Sequence, residues 1–511
     1  TIFSGIPPHS PLKVYENTYW NSDEFDATTY AREYDFSRPF FDQFRDLLHS
    51  VPLPAKSELR SINSDYSDQS SDFKNAYLCF NGDSVEDSAY CTKTSYAKDC
   101  FDLTYALSDQ LCYDSVNIDK SYRVYFSLDV DNSSDIWLSR DLIGCTDCIG
   151  CAGLRKKSYH ILNEPYSKEE YEKKRAELRL DTHEGLAAFR KRAYLLWQTR
   201  PVKFRRGLRN IDSTGERIND TRNAHHCFNV GNAENVKYCQ DVYMMKTTES
   251  YDYSVWGSAS RMYESLTCGE QVDMIKFCYD CYPSCTDLEY SIACRSSSSL
   301  FGCVGLKKKQ YCILNKQYRK EEYELLVGKI KKQMGEIPYR DGRGRMYQYG
   351  EFFPIELSPF AYNETCLQDH FPINKETAES AGFPWHEQES KEFAITREAH
   401  DVPDTITDAL ESIVQETIRC GQCKKAYKII PMEFAFLKNA GIPLPRTCYQ
   451  CRQAARQRFV NPPVFYPRTC MCSEEGHFHG MASCPNQFET AYSPEKPATI
   501  YCEVCYNTEI A

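Results

Sequence analysis

The sequence predicts a mainly β fold built from two tandem parallel β-solenoid-like repeat modules with capping helices, followed by C-terminal zinc ribbons. Three observations predict it. The same text is written twice: Lys74 to Asn81 reads KNAYLCFN, Arg222 to Asn229 reads RNAHHCFN, and Cys79–Cys91 and Cys227–Cys239 share one spacing. Within both copies, short Tyr, Phe, Val and Cys segments alternate with Asn, Asp, Ser and Gly clusters, the pattern of many brief strands. Near the C-terminus, CxxC pairs recur at zinc-knuckle spacing.

Residues 1–62 form an N-terminal segment with one helix near Arg38–Ser50, where Phe40, Phe41, Phe44 and Leu47 share a face. Residues 63–163 are the first solenoid copy and 210–315 the second. They close alike, Cys151-Ala-Gly-Leu-Arg-Lys-Lys against Cys303-Val-Gly-Leu-Lys-Lys-Lys, and each runs on to Ile-Leu-Asn. The offset between copies is 148 residues at the front and 152 at the back, so one copy carries a four-residue length change. In the second copy aromatic residues recur at spacings of 15, 10, 14, 13, 11 and 10 (Tyr238, Tyr253, Tyr263, Phe277, Tyr290, Phe301, Tyr311). Summed in pairs these give a coil of 21 to 27 residues. A β-sandwich also yields short strands, but it gives no reason for a repeating inward beat.

Residues 164–209 are a basic helical connector, opened by the capping box Ser167-Lys-Glu-Glu170. Residues 316–345 are a capping helix whose start, Arg319-Lys-Glu-Glu-Tyr323, lacks that cap. A helix laid over a solenoid end covers its unpaired strand. Residues 346–404 read as an extended, Pro-punctuated arm. Asp404 to Arg419 reads as an amphipathic helix with Ile406, Leu410, Ile413, Val414 and Ile418 on one side.

The chemistry is concentrated in zinc ribbon one (405–465) and zinc ribbon two (466–511). Cys420-x-x-Cys423 and Cys448-x-x-Cys451 are separated by 24 residues, and two such turns place four thiolates tetrahedrally around zinc. Between them Pro431 opens a helix that stops at Gly441. In ribbon two, five thiols (Cys470, Cys472, Cys484, Cys502, Cys505) compete for four positions, with His477 and His479 nearby. The shared Pro-Arg-Thr approach to Cys448 and Cys470 favours Cys470; Cys484 is the expected fourth ligand and Cys472 its competitor. Two structural zinc ions are expected, since four cysteines leave no open position for substrate.

The solenoid cysteines read differently. Cys145, Cys148 and Cys151 align with Ser297, Leu300 and Cys303; Cys100 and Cys112 align with Thr248 and Ser260, and Cys312 with His160. Positions that exchange Cys for Ser, Thr or Leu are packing positions, where reduced cysteine acts as a small hydrophobe. Cys278, Cys281 and Cys285 are the best metal candidates within the solenoids. Asp129 to Asp135 lacks the central Gly and terminal Glu of an EF-hand loop, and His225-His226-Cys227 aligns with Tyr77-Leu78-Cys79. Neither a phosphate-binding GxxxxGK[ST] nor an HExxH motif is present, so an enzyme stays only as a third reading.

The order of parts resembles a large family of cysteine-rich proteins from ultra-small bacteria of the candidate phyla. The resemblance runs end to end, through KVYENTYW, YDFSRPFFDQF, FGCVGLKKKQYCILNKQY, DHFPINKETAESAGFPW and the terminal YCEVCY. The CGQC…CYQCR part is similar to a zinc-ribbon domain found in many bacterial proteins. The resemblance implies an order of folds and zinc, and it implies no reaction. This chain has fewer solenoid CxxC repeats than its apparent relatives, which argues against metal there.

Composition bounds the partners. The mean hydropathy of −0.59 and the lack of an apolar run near ~20 residues exclude a helical membrane span. The first residues lack the form of a secretory signal, and CxxC pairs in such a chain favour reduced cysteine, so a cytoplasmic location is expected. The net charge is −11, yet residues 419–468 hold ten Lys/Arg against Glu433 alone, and residues 186–209 hold eight basic side chains and no acid. The remainder therefore sums to −28. The first functional expectation is RNA or ribosome binding through the ribbon, using Lys424, Lys425, Lys428, Arg446, Arg452, Arg456, Arg458 and Arg468. The alternative is a scaffold that self-assembles or binds proteins through its solenoid faces. The plain reading of the basic islands is solvated faces that balance acidic neighbours.

Overall fold

The computed structural model describes residues 2–387, 393–480 and 482–510, apart from the side chain of Met244. The chain is mainly β and divides into two units, each discontinuous in sequence. Thr1–Ser57 joins Arg205–Glu387, and Glu58–Phe204 joins Gln388–Ala511. Each unit thus pairs one copy of the duplication with a segment remote from it. The boundary between the units, after Glu387, falls within the 346–404 stretch.

The unit of the first copy holds a 13-stranded sheet that begins at Glu58–Leu59 and ends at Glu164–Pro165. All pairings are parallel except the closing hairpin, Ser158–Ile161 with Glu164–Pro165. The register advances by twelve residues at each step: Phe80 lies opposite Thr92, Thr92 opposite Thr104, Val116 opposite Leu128 and Leu128 opposite Arg140. A second ladder, six residues out of phase, runs Tyr122–Ser134–Thr146–Ser158 with the same step. The chain therefore returns to the same side every twelve residues, not every 21 to 27. Each aromatic beat in the sequence is one full step, and summing beats in pairs doubled it.

A period of three underlies the twelve. From Gln69 to Leu162 every third residue has a positive φ near 50–70°. Left-handed backbone costs most L-residues ~1–2 kcal/mol, and Gly, Asn and Asp tolerate it best. Sixteen of those thirty-two positions are Asp, Asn or Gly, so the corners are written into the sequence. The residue after each corner tends to be buried, and residues twelve apart stack in columns. One column runs Cys79, Cys91, Leu103, Ser115, Ser127, Ser139, Cys151, all buried.

Serine and cysteine are interchangeable in these columns because both satisfy the same backbone groups. The Ser139 hydroxyl donates to the Trp137 carbonyl (2.8 Å) and accepts from the Cys151 amide twelve residues on (2.9 Å). The Cys151 thiol donates to the Ile149 carbonyl (3.5 Å) and accepts from the Asn163 amide (3.4 Å). Buried corner amides need partners, and a short side chain with one donor and one acceptor supplies them. Asn163 ends the column: its side-chain amide donates to the Ala152 carbonyl and accepts from the Ala152 N–H. In the second copy Asn315 clamps Val304 in the same way. This is the structural content of the repeated Ile-Leu-Asn.

The unit of the second copy holds a 10-stranded sheet from Gly207–Leu208 to Lys316–Gln317. Its step is also twelve, as in Gly215 opposite Cys227 and Thr286 opposite Ser298. The step widens to fourteen at Ala233–Thr247 and to thirteen at Ala259–Val272 and Asp273–Thr286. The positive-φ corners slip correspondingly, by one residue each at 241–245, 245–249, 270–274 and 280–284. These four slips are the four-residue length difference between the copies. They also re-pair the two sequences, so Cys100 and Cys112 correspond to the buried Ser250 and Met262 rather than to Thr248 and Ser260.

Each sheet is covered by helices of its own unit. The helix Phe40–Ser50 forms as its apolar spacing predicts, and Phe40 packs on Tyr290 and Phe301 at 5.3 Å. In the other unit the helix His183–Thr199 brings Phe189 to Gly150. A Cβ on Gly150 would come 2.7 Å from Phe189, and one on Gly302 would come 2.8 Å from Phe40. The two glycines of the repeated Gly-Cys-x-Gly closure are therefore equivalent seats for an aromatic ring. The capping box at Ser167–Glu170 is formed, and the helix Lys320–Glu336 starts without a side-chain cap.

The helix expected over Asp404–Arg419 is absent. That stretch makes two short 3-10 turns, Ile406–Asp408 and Glu411–Gln415, and the strand Ile418–Arg419, leaving Leu410 exposed. Seven β-branched residues (Thr405, Ile406, Thr407, Ile413, Val414, Thr417, Ile418) weaken its helix propensity. The Asp404 carbonyl accepts instead from the His183 amide (3.0 Å), and the Thr405 hydroxyl caps Asp408 (3.2 Å).

Candidate metal centres

The first centre is assembled from a hairpin and a helix start. Ile418–Arg419 pairs antiparallel with Ala426–Tyr427, and the turn between them carries Cys420 and Cys423, with Lys424 at φ 65°. Pro431–Ala440 forms the predicted helix, ended by Gly441 at φ 67°. Cys448 then caps the helix Tyr449–Gln457, which places Cys451 in its first turn. The Gly421 amide donates to the Arg446 carbonyl (3.0 Å) and holds the two knuckles together.

The four sulfurs of Cys420, Cys423, Cys448 and Cys451 all lie within 4.8 Å of one another. Cys420 Sγ is 3.8 Å from Cys451 Sγ, and Cys423 Sγ is 3.7 Å from Cys448 Sγ. Zinc–sulfur bonds of ~2.3 Å in a tetrahedron put sulfurs about 3.8 Å apart, so the spacing fits the ion. The environment favours a thiolate at Cys420, whereas burial raises the thiols of Cys448 and Cys451. Burial raises the Cys420 thiol, but the amides of Cys448, Cys423 and Gln422 outweigh it and bring Cys420 down to about 6. The helix N-terminus at Cys448 adds a favourable dipole.

The second centre repeats this plan. Tyr466–Thr469 pairs with Gln487–Thr490, and the Cys470 amide donates to the Asn486 carbonyl (2.8 Å), bringing Cys484 beside Cys470. Cys502 stands before the helix Glu503–Ile510, and Cys505 lies inside it. The Cys502 amide donates to Cys470 Sγ (3.2 Å), as the Cys448 amide does to Cys420 Sγ (3.3 Å). Cys470, Cys484, Cys502 and Cys505 form the tetrad, all buried and within 4.8 Å. Burial raises the Cys502 thiol, but the Cys505 amide and the Asn486 side chain bring it down to about 7.

Cys484 thus completes the tetrad, and Cys472 lies outside it. Cys472 Sγ faces His477 Nδ1 at 3.1 Å, in a further group formed with His479 and Cys505. The Pro-Arg-Thr likeness does not mark equivalent ligands: Cys448 starts a helix whereas Cys470 ends a strand, and Cys470 corresponds to Cys420. Among the described residues the sheet cysteines form no group of three ligands at metal spacing, Cys278, Cys281 and Cys285 included. Burial pushes thiols such as Cys91 and Cys100 well above the ordinary range, so they remain protonated. None of the 26 cysteines is in a disulfide.

The expected nucleic-acid residues fare unevenly. Arg452 and Arg456 project from the helix Tyr449–Gln457 into the interior of their unit, with side chains only 7% and 4% exposed. Arg452 pairs with Asp102 (2.7 Å) and Glu433 (2.8 Å), and Arg456 with Asp102 and Asp114 (both 2.9 Å). Burial pushes Glu433 up to about 7, although the Arg452 guanidinium beside it pulls the other way. Arg446 donates to the Val402 carbonyl, and Arg468 to the carbonyls of Tyr492 and Ser493. Lys424, Lys425, Lys428 and Arg458 are exposed. Half of the expected basic surface is therefore spent on internal contacts. Sequence reasoning missed the partners Asp102 and Asp114, whose only signal was the acidic excess outside the basic islands.

Around the arginines, aromatic residues dock the first centre on the sheet. Phe436 lies 4.7 Å from Phe101 and 6.0 Å from Tyr113, and Tyr449 stacks on Tyr90 at 5.1 Å. The second centre docks through Tyr506, whose hydroxyl bonds Asp141 and accepts from Arg155. Among the described residues no helix is long and apolar enough to cross a membrane. No protein-family model matches this chain, and no curated protein matches it either.

Proposed function

We propose that the protein is a non-catalytic scaffold: two parallel β-solenoids with twelve-residue coils, one of them covered by zinc ribbons whose metal is structural. The observation that carries this reading is the buried network of Arg452 and Arg456 with Asp102, Asp114 and Glu433. It supports reading the ribbon as a cover for the solenoid rather than as a free basic module. Four cysteines per centre leave zinc no open position for substrate, which supports a structural ion. The coils leave outward ladders of mutually paired polar side chains, such as Lys74–Glu86–Lys98 and Asn63–Asn75–Asp87, and these regularly spaced faces suit recognition of a protein or of a second copy.

The test is native purification from the source cell with and without nuclease, joined to elemental analysis and light scattering. Zinc, together with a protein partner or self-association that survives nuclease, is the expected result. Absence of zinc would overturn the metal reading. RNA that copurifies at low salt and is lost as salt rises would overturn the scaffold reading in favour of Lys424, Lys425, Lys428 and Arg458 as a phosphate-binding edge.

A further inference from the structure

We propose that the second centre holds two zinc ions, with the Cys505 thiolate bridging them and Cys472, His477 and His479 completing the coordination of the additional ion. The inference rests on the zinc reading above and extends it. Ligand atoms of Cys472, His477, His479 and Cys505 lie within 4.8 Å of one another, and Cys505 belongs equally to the Cys470, Cys484, Cys502 tetrad. A thiolate has lone pairs enough for two ions, and two imidazoles with two thiolates make an ordinary zinc set.

His479 is held as a ligand would be. His479 Nδ1 faces the Ala482 carbonyl at 2.6 Å, so that nitrogen carries the proton and Nε2 bears the lone pair. Nε2 is buried and has no hydrogen-bond partner. A buried lone pair without a donor is costly, and a metal ion satisfies it. Metal-bound imidazoles typically donate their other N–H to a carbonyl or carboxylate, as His479 does here. His477 contributes by position: Nδ1 lies 3.1 Å from Cys472 Sγ, while Nε2 is 4.0 Å from a Glu509 carboxylate oxygen, beyond hydrogen-bond reach. Its side chain is only 5% exposed.

The first centre has no counterpart to the 473–483 insertion that supplies both histidines.

The full chain, loaded with excess zinc and freed of loose metal by gel filtration, should carry about three zinc ions: one at the Cys420 centre and two at this one. The H477A/H479A variant should carry about one fewer. Two ions in the wild-type chain, unchanged in the variant, would overturn this inference and leave the zinc reading standing; none would overturn both. Cobalt(II) titration of the unaltered chain needs no substitution. A thiolate bridge couples two high-spin ions, so the paramagnetic signal per cobalt should fall as the last equivalent enters. A signal that grows in proportion to that equivalent would count against the bridge.

Discussion

Arg452 Nε donates to Asp102 Oδ2 at 2.7 Å across 350 positions of chain. Asp102 sits at a left-handed corner of the sheet, with φ 57° and a side chain that is fully buried. It also receives Arg456, so one carboxylate anchors two turns of the helix that carries Cys448 and Cys451. Breaking a buried pair by removing one partner leaves an uncompensated charge and costs about 3–5 kcal/mol. Asp102→Ala should therefore destabilise the full chain by at least that amount in urea unfolding. The apolar replacement Asp102→Leu with Glu433→Leu, Arg452→Met and Arg456→Leu should recover most of the loss, because it leaves only the part-exposed Asp114 without its partner. Equal stability of Asp102→Ala and the wild-type chain would show that the helix does not depend on this anchor.

The β class, the duplication, the helix Phe40–Ser50 and the Ser167 capping box were legible because each is local: period, cap and text lie within a dozen residues. The Cys420 centre was legible for the same reason. The coil length was not, because the visible aromatic beat varies from 10 to 15 residues. The regular signal lay in Asp, Asn and Gly at every third position, where only backbone conformation reveals its purpose. The partners of Arg452 and Arg456 were illegible for a different reason. Nothing near residue 452 announces a carboxylate at 102, so a charge that the fold neutralises read as a basic surface. The Asp404 stretch failed because apolar spacing was weighed without its β-branched content or the competing His183 amide.

Asn315 should be among the most sensitive closure residues of its unit. Its side chain makes two hydrogen bonds with the Val304 peptide and a third to the Ala27 carbonyl, at φ 65° and fully buried. Asn315→Ala loses these bonds, at about 1 kcal/mol each, and forces alanine into left-handed backbone at ~1–2 kcal/mol, for a total of about 4 kcal/mol. Asn315→Gly removes only the conformational cost and should be milder by about 1 kcal/mol. Denaturant midpoints of the two variants should separate in that order; the reverse order would mean the backbone strain is not borne by this residue.

Sheet and cluster cysteines should respond oppositely to one substitution. Cys151→Ser keeps a donor and an acceptor in the column that already holds Ser115, Ser127 and Ser139, so it should cost about 1 kcal/mol or less and leave zinc content unchanged. Cys448→Ser removes a ligand and should cost one zinc ion and several kcal/mol. Elemental analysis beside thermal melts reads both. Loss of zinc from Cys151→Ser would restore a metal role to the sheets.

Asp109 gives the fold a dependence on pH. It occupies a buried column continued by Ser121 and Ser133, and its Oδ1 accepts from the Ser121 amide at 2.9 Å. Burial, reinforced by nearby Cys112, raises its carboxyl well above 3.8, while the Ser121 amide pulls it down. A carboxyl raised in the folded state contributes its full stability below its unfolded pKa and loses it progressively as pH rises. Asp109→Ser keeps an acceptor for the Ser121 amide, as Ser121 does for Ser133 (3.3 Å), without a buried ionisable group. The variant should therefore be more stable than the wild-type chain at pH 7, with the advantage shrinking toward pH 4 as the wild-type carboxyl is protonated in the folded state and increasingly so in the unfolded one. Urea midpoints at the two pH values measure the difference, and an advantage that does not change with pH would mean that burial of the carboxylate is not what Asp109 costs the fold.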